Sequence, residues 1–347
     1  MQNMLVPGRG FPIIGIIAAF TFIRSLPAQD NNPDTTAFDK DGTAHIRRVI
    51  PVPKTVSTEA QALLATGQNW APAPNEPIFK ELIERARKLY PVKEEEKTIA
   101  GVKVRLFTPP NVPPNKTNRL LINLHGGGFV VDSGSFVESI PIASLAQTPV
   151  LTVYYRLATD APFPAAVDDV IAVYKELLKS YKPENMALYG TSAGAILTGE
   201  AAARMKNDSI PLPAALGFFT GAGDLSRAGD SQAFFGVPGL VDAKPNATLP
   251  SAYLKGVDAK DPLVSPIFGD LHGLPPTLNI TGTRDILLSA TANFHRALLK
   301  AGVKSELIVY DAMSHAFWAM IGTPESKEAL ETMAEFFNRQ LDARAAK

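Results

Sequence analysis

The pentapeptide Gly190-Thr191-Ser192-Ala193-Gly194 follows an apolar stretch at 186–189 and leads into an Ala-rich helical pattern. This order predicts a strand, a tight turn and a helix. Glycines flank the serine because other side chains would clash in so tight a turn. The helix directs its first N–H groups and its positive dipole end toward the same point. Ser192 is therefore a candidate nucleophile at a strand end, and a small-residue turn without a catalytic role is the alternative.

Around this turn, short β-branched runs alternate with helix-length amphipathic stretches. Strands are predicted at 102–108, 120–124, 149–155, 186–189, 215–219, 277–281 and 306–310. Helices are predicted at 165–180, 193–206, 287–301 and 324–345. The alternation predicts an α/β fold with a mostly parallel sheet and helices on both faces. Residues 31–91 show helical patterns near 57–67 and 76–90 and no strand, and the charged run 93–97 indicates a solvated connection.

A second glycine-rich segment, His125-Gly126-Gly127-Gly128-Phe129, follows the predicted strand at 120–124. Three consecutive glycines let the backbone approach a ligand closely and turn its N–H groups toward it, as an oxyanion hole requires. A flexible glycine loop is the alternative. The presence of the serine turn in the same sequence favours the oxyanion interpretation.

Composition excludes several classes of protein. The 347 residues carry 34 Lys and Arg against 34 Asp and Glu, and the formal net charge of zero argues against a polybasic nucleic-acid binder. With 46% hydrophobic residues the chain can build a sizeable core. Because there is no Cys, disulfides, thiolate catalysis, iron-sulfur clusters and cysteine-rich zinc sites are excluded, so a nucleophile must carry oxygen or nitrogen.

The first 30 residues are typical of a secretory signal peptide. They contain Arg9, no acidic residue before Asp30, and an apolar run of 13 residues at 11–23 that Arg24 ends. A membrane-spanning helix needs about 20 apolar residues, and a lipoprotein anchor needs Cys, so no stable membrane anchor is expected. We expect residues 1–28 to be removed and the protein to be exported, periplasmic or secreted. The alternative is an N-terminal helix packed on a cytoplasmic protein.

Four segments together carry a resemblance to a known family. They are HGGGF at 125–129, YYRLA at 154–158, FPAA at 163–166 and GTSAG at 190–194. The sequence resembles the bacterial hormone-sensitive-lipase-like esterases, family IV of the α/β-hydrolases, in the branch with Thr before the nucleophile. The resemblance covers about residues 95–340 and implies the α/β-hydrolase fold with a helical cap. Departures at 158–160 and at Ala195 affect the expected substrate fit rather than the reacting groups.

The remaining members of a triad follow from chain order and position. In this fold the order is nucleophile, acid, histidine. His315 lies just past the predicted strand that ends at Tyr310, where it matches the base of the resembled family. The other histidines precede the core, begin the glycine loop, or lie before or within helices: His45, His125, His272 and His295.

Asp285 matches the position of the family's acid, five residues after the strand residue Ile280. Asp311, which is nearer to His315 in sequence, and Asp224, just beyond another strand, are the competing carboxylates. A purely structural role for Asp285 would be to cap the helix that begins near Leu287.

The resemblance also divides the chain. In the resembled family a helical cap is built from the N-terminal region and an insertion after the sixth strand. This implies a cap segment at 29–95, a first core part at 96–220, a cap insertion at 221–256 and a second core part at 257–347. The apolar side chains expected to line the substrate pocket are Phe129, Phe234, Phe235, Leu240 and Trp318. Plain packing of the cap is the alternative for most such residues.

The roles together imply a serine carboxylesterase for short- to medium-chain acyl esters. His315 takes the proton of Ser192, Asp285 fixes the tautomer, and the N–H groups of Gly127, Gly128 and Ala193, with Gly126 as a further contributor, hold the oxyanion. The expected partner is a small-molecule ester, without nucleic acid, metal or organic cofactor. The resemblance also allows a homodimer through the edge strand near 306–310.

Three further reactions and one non-enzymatic function stay open. A lactonase, a sugar deacetylase and an amidase could use the same triad, because their reactions share one kind of tetrahedral intermediate. A hydrolase-fold ligand receptor without catalysis is the alternative outside enzymes. Such receptors typically lack a triad member, whereas this sequence retains all three.

Overall fold

The computed structural model describes residues 35–66, 77–235 and 251–345 and divides into two units, Met1–Pro51 and Val52–Lys347. The described part of the first unit is an antiparallel hairpin of β1, Thr35–Phe38, and β2, Ala44–Arg47. The expectation of no strand in 31–91 is therefore wrong, because strands of four residues are too short to show a clear alternation. The predicted signal peptide at 1–28 lies outside the described residues.

The described part of the second unit contains an eight-stranded sheet. Its strands are β3 Lys93–Ile99, β4 Val102–Thr108, β5 Leu120–Leu124, β6 Val150–Val153, β7 Met186–Thr191, β8 Ala215–Phe219, β9 Thr277–Gly282 and β10 Ser305–Tyr310. Their order is β10-β9-β8-β7-β5-β6-β4-β3. The pairs from β10 to β6 are parallel, and β4 and β3 complete the sheet in antiparallel pairing. This is the mostly parallel α/β-hydrolase sheet that the sequence predicts.

Helices cover both faces of this sheet. They are α1 Thr58–Ala65, α2 Pro77–Leu89, α3 Ser135–Ala146, α4 Ala165–Leu177, α5 Ala193–Asn207, α6 Asp230–Phe235, α7 Ser251–Leu254, α8 Leu288–Lys300 and α9 Pro324–Ala345. Side chains of α4, α5 and α8 form one buried cluster with the sheet, and side chains of α1, α2, α3 and α9 form a second. Strand β5 contributes to both, with Leu120, Ile122 and Leu124 in the first cluster and Leu121 in the second. Both faces of β5 are therefore buried, as in a sheet that is covered by helices on two sides.

Two segments differ from their predictions. The charged run 93–97 is the first part of β3, an edge strand paired with β4, rather than a solvated connection. Charged side chains suit an edge strand because they discourage pairing with another chain. Helix α3 is absent from the predictions because nine of its twelve residues are buried, which leaves no polar stripe to reveal a helical period.

The parallel strands place the candidate residues. The carboxyl ends of β5, β7, β8, β9 and β10 lie at one edge of the sheet because these strands run in the same direction. One glycine-rich segment, 125–129, directly follows β5. The other, 190–194, spans the end of β7 and the start of α5, so both segments lie at that edge. Among the described residues, no helix combines the length and the apolar character that crossing a membrane requires.

Candidate active site

Ser192 occupies the turn between β7 and α5 in a strained backbone conformation. Its φ is 58° and its ψ is −121°, which a residue with a side chain rarely adopts. The Ser192 N–H donates to the carbonyl of Phe219 at 3.0 Å, which ties the turn to the end of β8. An ideal Cβ at Gly194 would lie only 1.8 Å from the carbonyl oxygen of Leu124. Glycine is therefore required there for α5 to begin against the end of β5.

The loop of residues 125–134, called here the oxyanion loop, folds against this turn. An ideal Cβ at Gly126 would lie 3.4 Å from the Cβ of Ser192, so the loop lies directly beside the serine. Gly127 has a φ of 112°, and an ideal Cβ there would overlap the carbonyl of Val131 at 1.8 Å. The Tyr155 hydroxyl donates to the His125 carbonyl at 2.6 Å, and the two rings stack. The structure therefore brings the predicted oxyanion segment beside Ser192.

His315 and Asp285 form a buried pair at the same edge. Nδ1 of His315 lies 2.9 Å from Oδ1 of Asp285, and the Asp285 side chain is completely buried. The N–H of Leu287 donates to the same oxygen at 2.8 Å. Leu287 is itself the N-cap residue of α8, and no side chain caps this helix, so the capping role considered for Asp285 is not observed. An ionised carboxylate only accepts hydrogen bonds, so Nδ1 carries the proton and Nε2 is the basic nitrogen of the neutral ring.

Two threonine hydroxyls hold the other oxygen of Asp285. Thr220 and Thr281 both donate to Oδ2, the latter at 2.9 Å. The Thr220 Oγ1 also lies 3.1 Å from Nδ1 of His315. Thr220 is fully buried directly after β8, with a φ of 46°. Sequence reasoning did not identify either threonine, although a polar residue directly after the buried strand 215–219 was a usable signal.

The surroundings of Asp285 favour its ionised form. Burial raises the pKa of Asp285, but the charge of His315 and its hydrogen bond, together with the bonds from Thr220 and Leu287, outweigh burial. The net result is a pKa below the ordinary value for an aspartate. The surroundings therefore favour the carboxylate form of Asp285, which keeps the proton of the imidazole on Nδ1.

The competing carboxylates make other contacts. Asp311 accepts hydrogen bonds from Thr55 at 2.5 Å and Thr283 at 3.5 Å. Asp224 accepts from Ser226 and pairs with Arg227 at 2.8 Å. The hydrogen-bond geometry thus favours Asp285 as the partner of His315. No cluster of three or more His, Asp or Glu within the described ranges is placed to hold a metal ion.

Known proteins are similar to this chain in sequence. Residues 121–319 match the family described as alpha/beta hydrolase fold. An acetyl-hydrolase of Streptomyces hygroscopicus is 33% identical over 229 residues, 65% of this chain and 77% of that protein. An esterase of Acinetobacter venetianus is 32% identical over 231 residues, 63% of this chain and 74% of that protein.

Solved structures extend the likeness to the fold. The crystal structure of one esterase superposes with a TM-score of 0.73 at 34% identity and covers 84% of this chain and 97% of that one. An esterase of the bacterial hormone-sensitive lipase family has a TM-score of 0.65 at 28% identity, with coverage of 77% and 99%. The protein is a hormone-sensitive-lipase-like esterase of the α/β-hydrolase family. The esterase is thus a carboxylic ester hydrolase.

The residues predicted to line the substrate pocket of the esterase have different surroundings. Phe129 and Trp318 have no exposed surface and are packed, Phe129 face to face on Tyr253 with ring centroids 3.6 Å apart. Neither presents an open surface to a ligand in this structure. Phe234, in α6, is 54% exposed and lies beside the half-buried Phe235. Leu240 lies outside the described residues.

Proposed function

We propose that the esterase hydrolyses short- to medium-chain acyl esters through an acyl-enzyme formed on Ser192. The observation that carries the proposal is the position of Ser192, which has a strained backbone, lies at the start of α5 and is beside Gly126 of the oxyanion loop. Backbone strain of this kind is concentrated at functional sites. The buried pair of His315 and Asp285 at the same sheet edge supplies the base and the group that orients it.

The reaction follows from these roles in two steps. Nε2 of His315 takes the hydroxyl proton of Ser192 as Oγ attacks the ester carbonyl, and Asp285 stabilises the imidazolium. The N–H groups of Gly127, Gly128 and Ala193, with Gly126 as a further donor, are aimed at the developing oxyanion. The imidazolium then protonates the leaving alcohol. Water, activated by the same nitrogen, hydrolyses the acyl-enzyme and regenerates Ser192.

The preference for short to medium acyl chains is supported by two further observations. The name acetyl-hydrolase of the Streptomyces hygroscopicus relative points to a two-carbon acyl group for that protein. The described ends of the insertion 221–256 are anchored near the site, since Ser231 donates to the carbonyl of Ile286 at 2.8 Å and Tyr253 stacks on Phe129. We infer that the insertion covers the site, and a covered site favours chains that fit beneath it over long chains presented at an oil surface.

The experiment compares the variant Ser192→Ala with the matched control Ser180→Ala on p-nitrophenyl esters. Ser180 is exposed in the turn after α4. We expect Ser192→Ala to lose activity by about ten-thousandfold or more, because the residual catalysis of such sites comes from the oxyanion hole and binding alone. Ser180→Ala should keep the parental rate. Full activity in Ser192→Ala would refute the nucleophile, and faster hydrolysis of long-chain emulsions than of butyrate esters would refute the chain length.

A further inference from the structure

Glu138, in the first turn of α3, lies near all three segments of the candidate site: the oxyanion loop, the serine turn and the segment that carries His315. Nδ2 of Asn123, on β5 just before the oxyanion loop, donates to its Oε2 at 3.2 Å. Nε1 of Trp318, three residues after His315, donates to its Oε1 at 3.3 Å. The two donors reach different oxygens of one carboxyl group. A single side chain therefore connects the strand that leads into the oxyanion loop with the segment that carries the histidine.

The same carboxyl group lies against the serine turn and the oxyanion loop themselves. The hydroxyl of Thr191, the residue before Ser192, faces it at a geometry outside that of a formed hydrogen bond. An ideal Cβ at Gly134 would lie 3.1 Å from Oε1 of Glu138 and 3.4 Å from the backbone nitrogen of Gly126. The carboxyl group thus packs beneath the loop that is expected to hold the oxyanion.

Glu138 is only 2% exposed, and within the described ranges no basic side chain forms an ion pair with it. Burial raises its pKa to about 7, although the nearby Thr191 hydroxyl and the bonds from Trp318 and Asn123 lower it, and the like charge of Asp132 adds to the rise. Other titratable groups that face it are the buried Tyr189 and Tyr155, whose own pKa values the Glu138 charge raises. The protonation state of Glu138 therefore changes near neutral pH.

We propose that Glu138 is a positioning residue that, as a carboxylate, holds the strand leading into the oxyanion loop and the histidine segment in register. The proposal rests on the proposed serine mechanism. A carboxylate offers an acceptor oxygen to each of the two N–H donors, whereas a protonated carboxyl group turns one of the oxygens into a donor. Protonation of Glu138 thus weakens its hydrogen bond with either Asn123 or Trp318. It also removes the charge that makes both bonds stronger than hydrogen bonds between neutral groups.

The test uses Glu138→Gln, which keeps the size of the side chain and has a single acceptor oxygen. At pH 8 we expect kcat to fall by roughly tenfold to a hundredfold with little change in KM, since small displacements of catalytic groups cost about this much. We also expect the pH profile of kcat to be less steep on its acid side than in the parent, because the titrating carboxyl group of Glu138 is gone. Rates are counted per active site from the p-nitrophenol burst, so that unfolded protein does not contribute.

Two further variants separate positioning from folding. Trp318→Phe removes only the Nε1–H donor and should reproduce part of the loss. The double variant Glu138→Gln with Trp318→Phe should then lose less kcat than the two single losses combined, because both substitutions disturb the same hydrogen bond. Glu200→Gln is the matched control: Glu200 is equally buried on α5, bonds to Tyr253, and contacts neither Asn123 nor Trp318 in the described structure. Its kcat and pH profile should match the parent.

The outcomes distinguish the two proposals. If Ser192→Ala retains full activity, the serine mechanism fails. If Ser192→Ala is inactive while Glu138→Gln has the parental kcat per active site and the parental pH profile, the positioning role of Glu138 is wrong. A lower unfolding midpoint of Glu138→Gln with unchanged kcat would likewise assign it a structural role only. Additive losses in the double variant would contradict the contact through Trp318.

Discussion

Thr220 makes contact with both the acid and the base of the candidate triad. Its hydroxyl donates to Oδ2 of Asp285 and lies 3.1 Å from Nδ1 of His315. Thr281 donates to the same Asp285 oxygen at 2.9 Å and, within the described residues, forms no hydrogen bond with the imidazole. Both threonines donate to the same oxygen, and Thr220 alone of the two also lies beside Nδ1 of His315, so Thr281 serves as the comparison. Thr220 acts through the acid and the base, and it is a positioning residue rather than a catalytic one.

Thr220→Val keeps the branched shape and removes the hydroxyl. We expect kcat to fall roughly tenfold or more with KM nearly unchanged, since a hydrogen bond to a charged group contributes about 1.5–3 kcal/mol. Thr220→Ser restores a hydroxyl and should recover most of the rate. Steady-state kinetics on p-nitrophenyl butyrate measure both. Thr281→Val should lose less than Thr220→Val, and equal losses in the two variants would show that the contact with His315 contributes nothing.

At the residue scale, the sequence predicted groups whose roles follow from chain order. Ser192, Asp285 and His315 each follow a predicted strand, and parallel strands bring such residues to one edge. Thr220 and Glu138 were not predicted for different reasons. Thr220 contacts a residue 65 positions away, a pairing that no local pattern encodes. Glu138 belongs to a helix that was itself not predicted, so its burial was unknown.

The element on which the geometry most depends is the junction of β7 and α5. A Cβ at Gly194 would lie 1.8 Å from the Leu124 carbonyl oxygen and 2.7 Å from that of His125, both in the backbone that leads into the oxyanion loop. Backbone atoms cannot move aside as a flexible side chain can. Gly199, one and a half turns further along the same helix, differs, because its nearest neighbour would be the Pro266 side chain at 3.4 Å.

Gly194→Ala should therefore push α5 away from β5. We expect it to lower the free energy of unfolding by roughly 3 kcal/mol, near the upper end for overpacking, and to reduce kcat strongly. Gly199→Ala, the matched substitution, should raise the free energy of unfolding by about 0.5–1 kcal/mol, as expected for Gly to Ala within a helix. Urea denaturation and esterase kinetics on both variants measure this. Similar stability of the two variants would contradict the steric argument.

Helices and strands were predicted where the sequence shows a clear hydrophobic pattern, and they were missed where it does not. Strands β5 and β8 were predicted with their observed bounds because short apolar runs between turn signals read as buried strands. Helix α3 is buried nearly all round and has Pro141 inside it, so no amphipathic stripe shows. Strand β3 is almost entirely exposed and rich in charged residues, so its sequence shows no apolar alternation. It is a strand because it pairs with the neighbouring β4.

At the scale of the whole molecule, buried carboxyl groups tie stability to pH. Burial raises the pKa of Glu200 well above its ordinary value of 4.5, and the bond from Tyr253 lowers it only in part. Oε1 of Glu200 has no hydrogen-bond partner among the described residues, so an ionised form would leave buried charge without compensation. The folded protein therefore favours the neutral form of Glu200. Asp285 has the opposite shift, because its pKa is lowered.

The sign of the pH dependence follows from linkage. Above the ordinary glutamate value of 4.5, the unfolded chain releases the Glu200 proton while the folded protein retains it, so stability declines as pH rises toward the folded pKa. Asp285 acts at the other end, since its stabilisation is present above the ordinary value of 3.8 and is lost as pH falls through the lowered pKa. Stability is therefore lost on both the acidic and the alkaline side.

Glu200→Gln removes the alkaline part of this dependence, because glutamine cannot ionise and its amide oxygen still accepts from the Tyr253 hydroxyl. We expect the variant to be more stable than the parent at pH 8 and the difference to shrink toward pH 5, where the unfolded parent regains its proton. Urea denaturation of both proteins at the two pH values measures the difference, and the contributions of Glu138 and Asp285 cancel because both proteins share them. A stability difference that is the same at pH 5 and pH 8 would mean that Glu200 is not held neutral by burial.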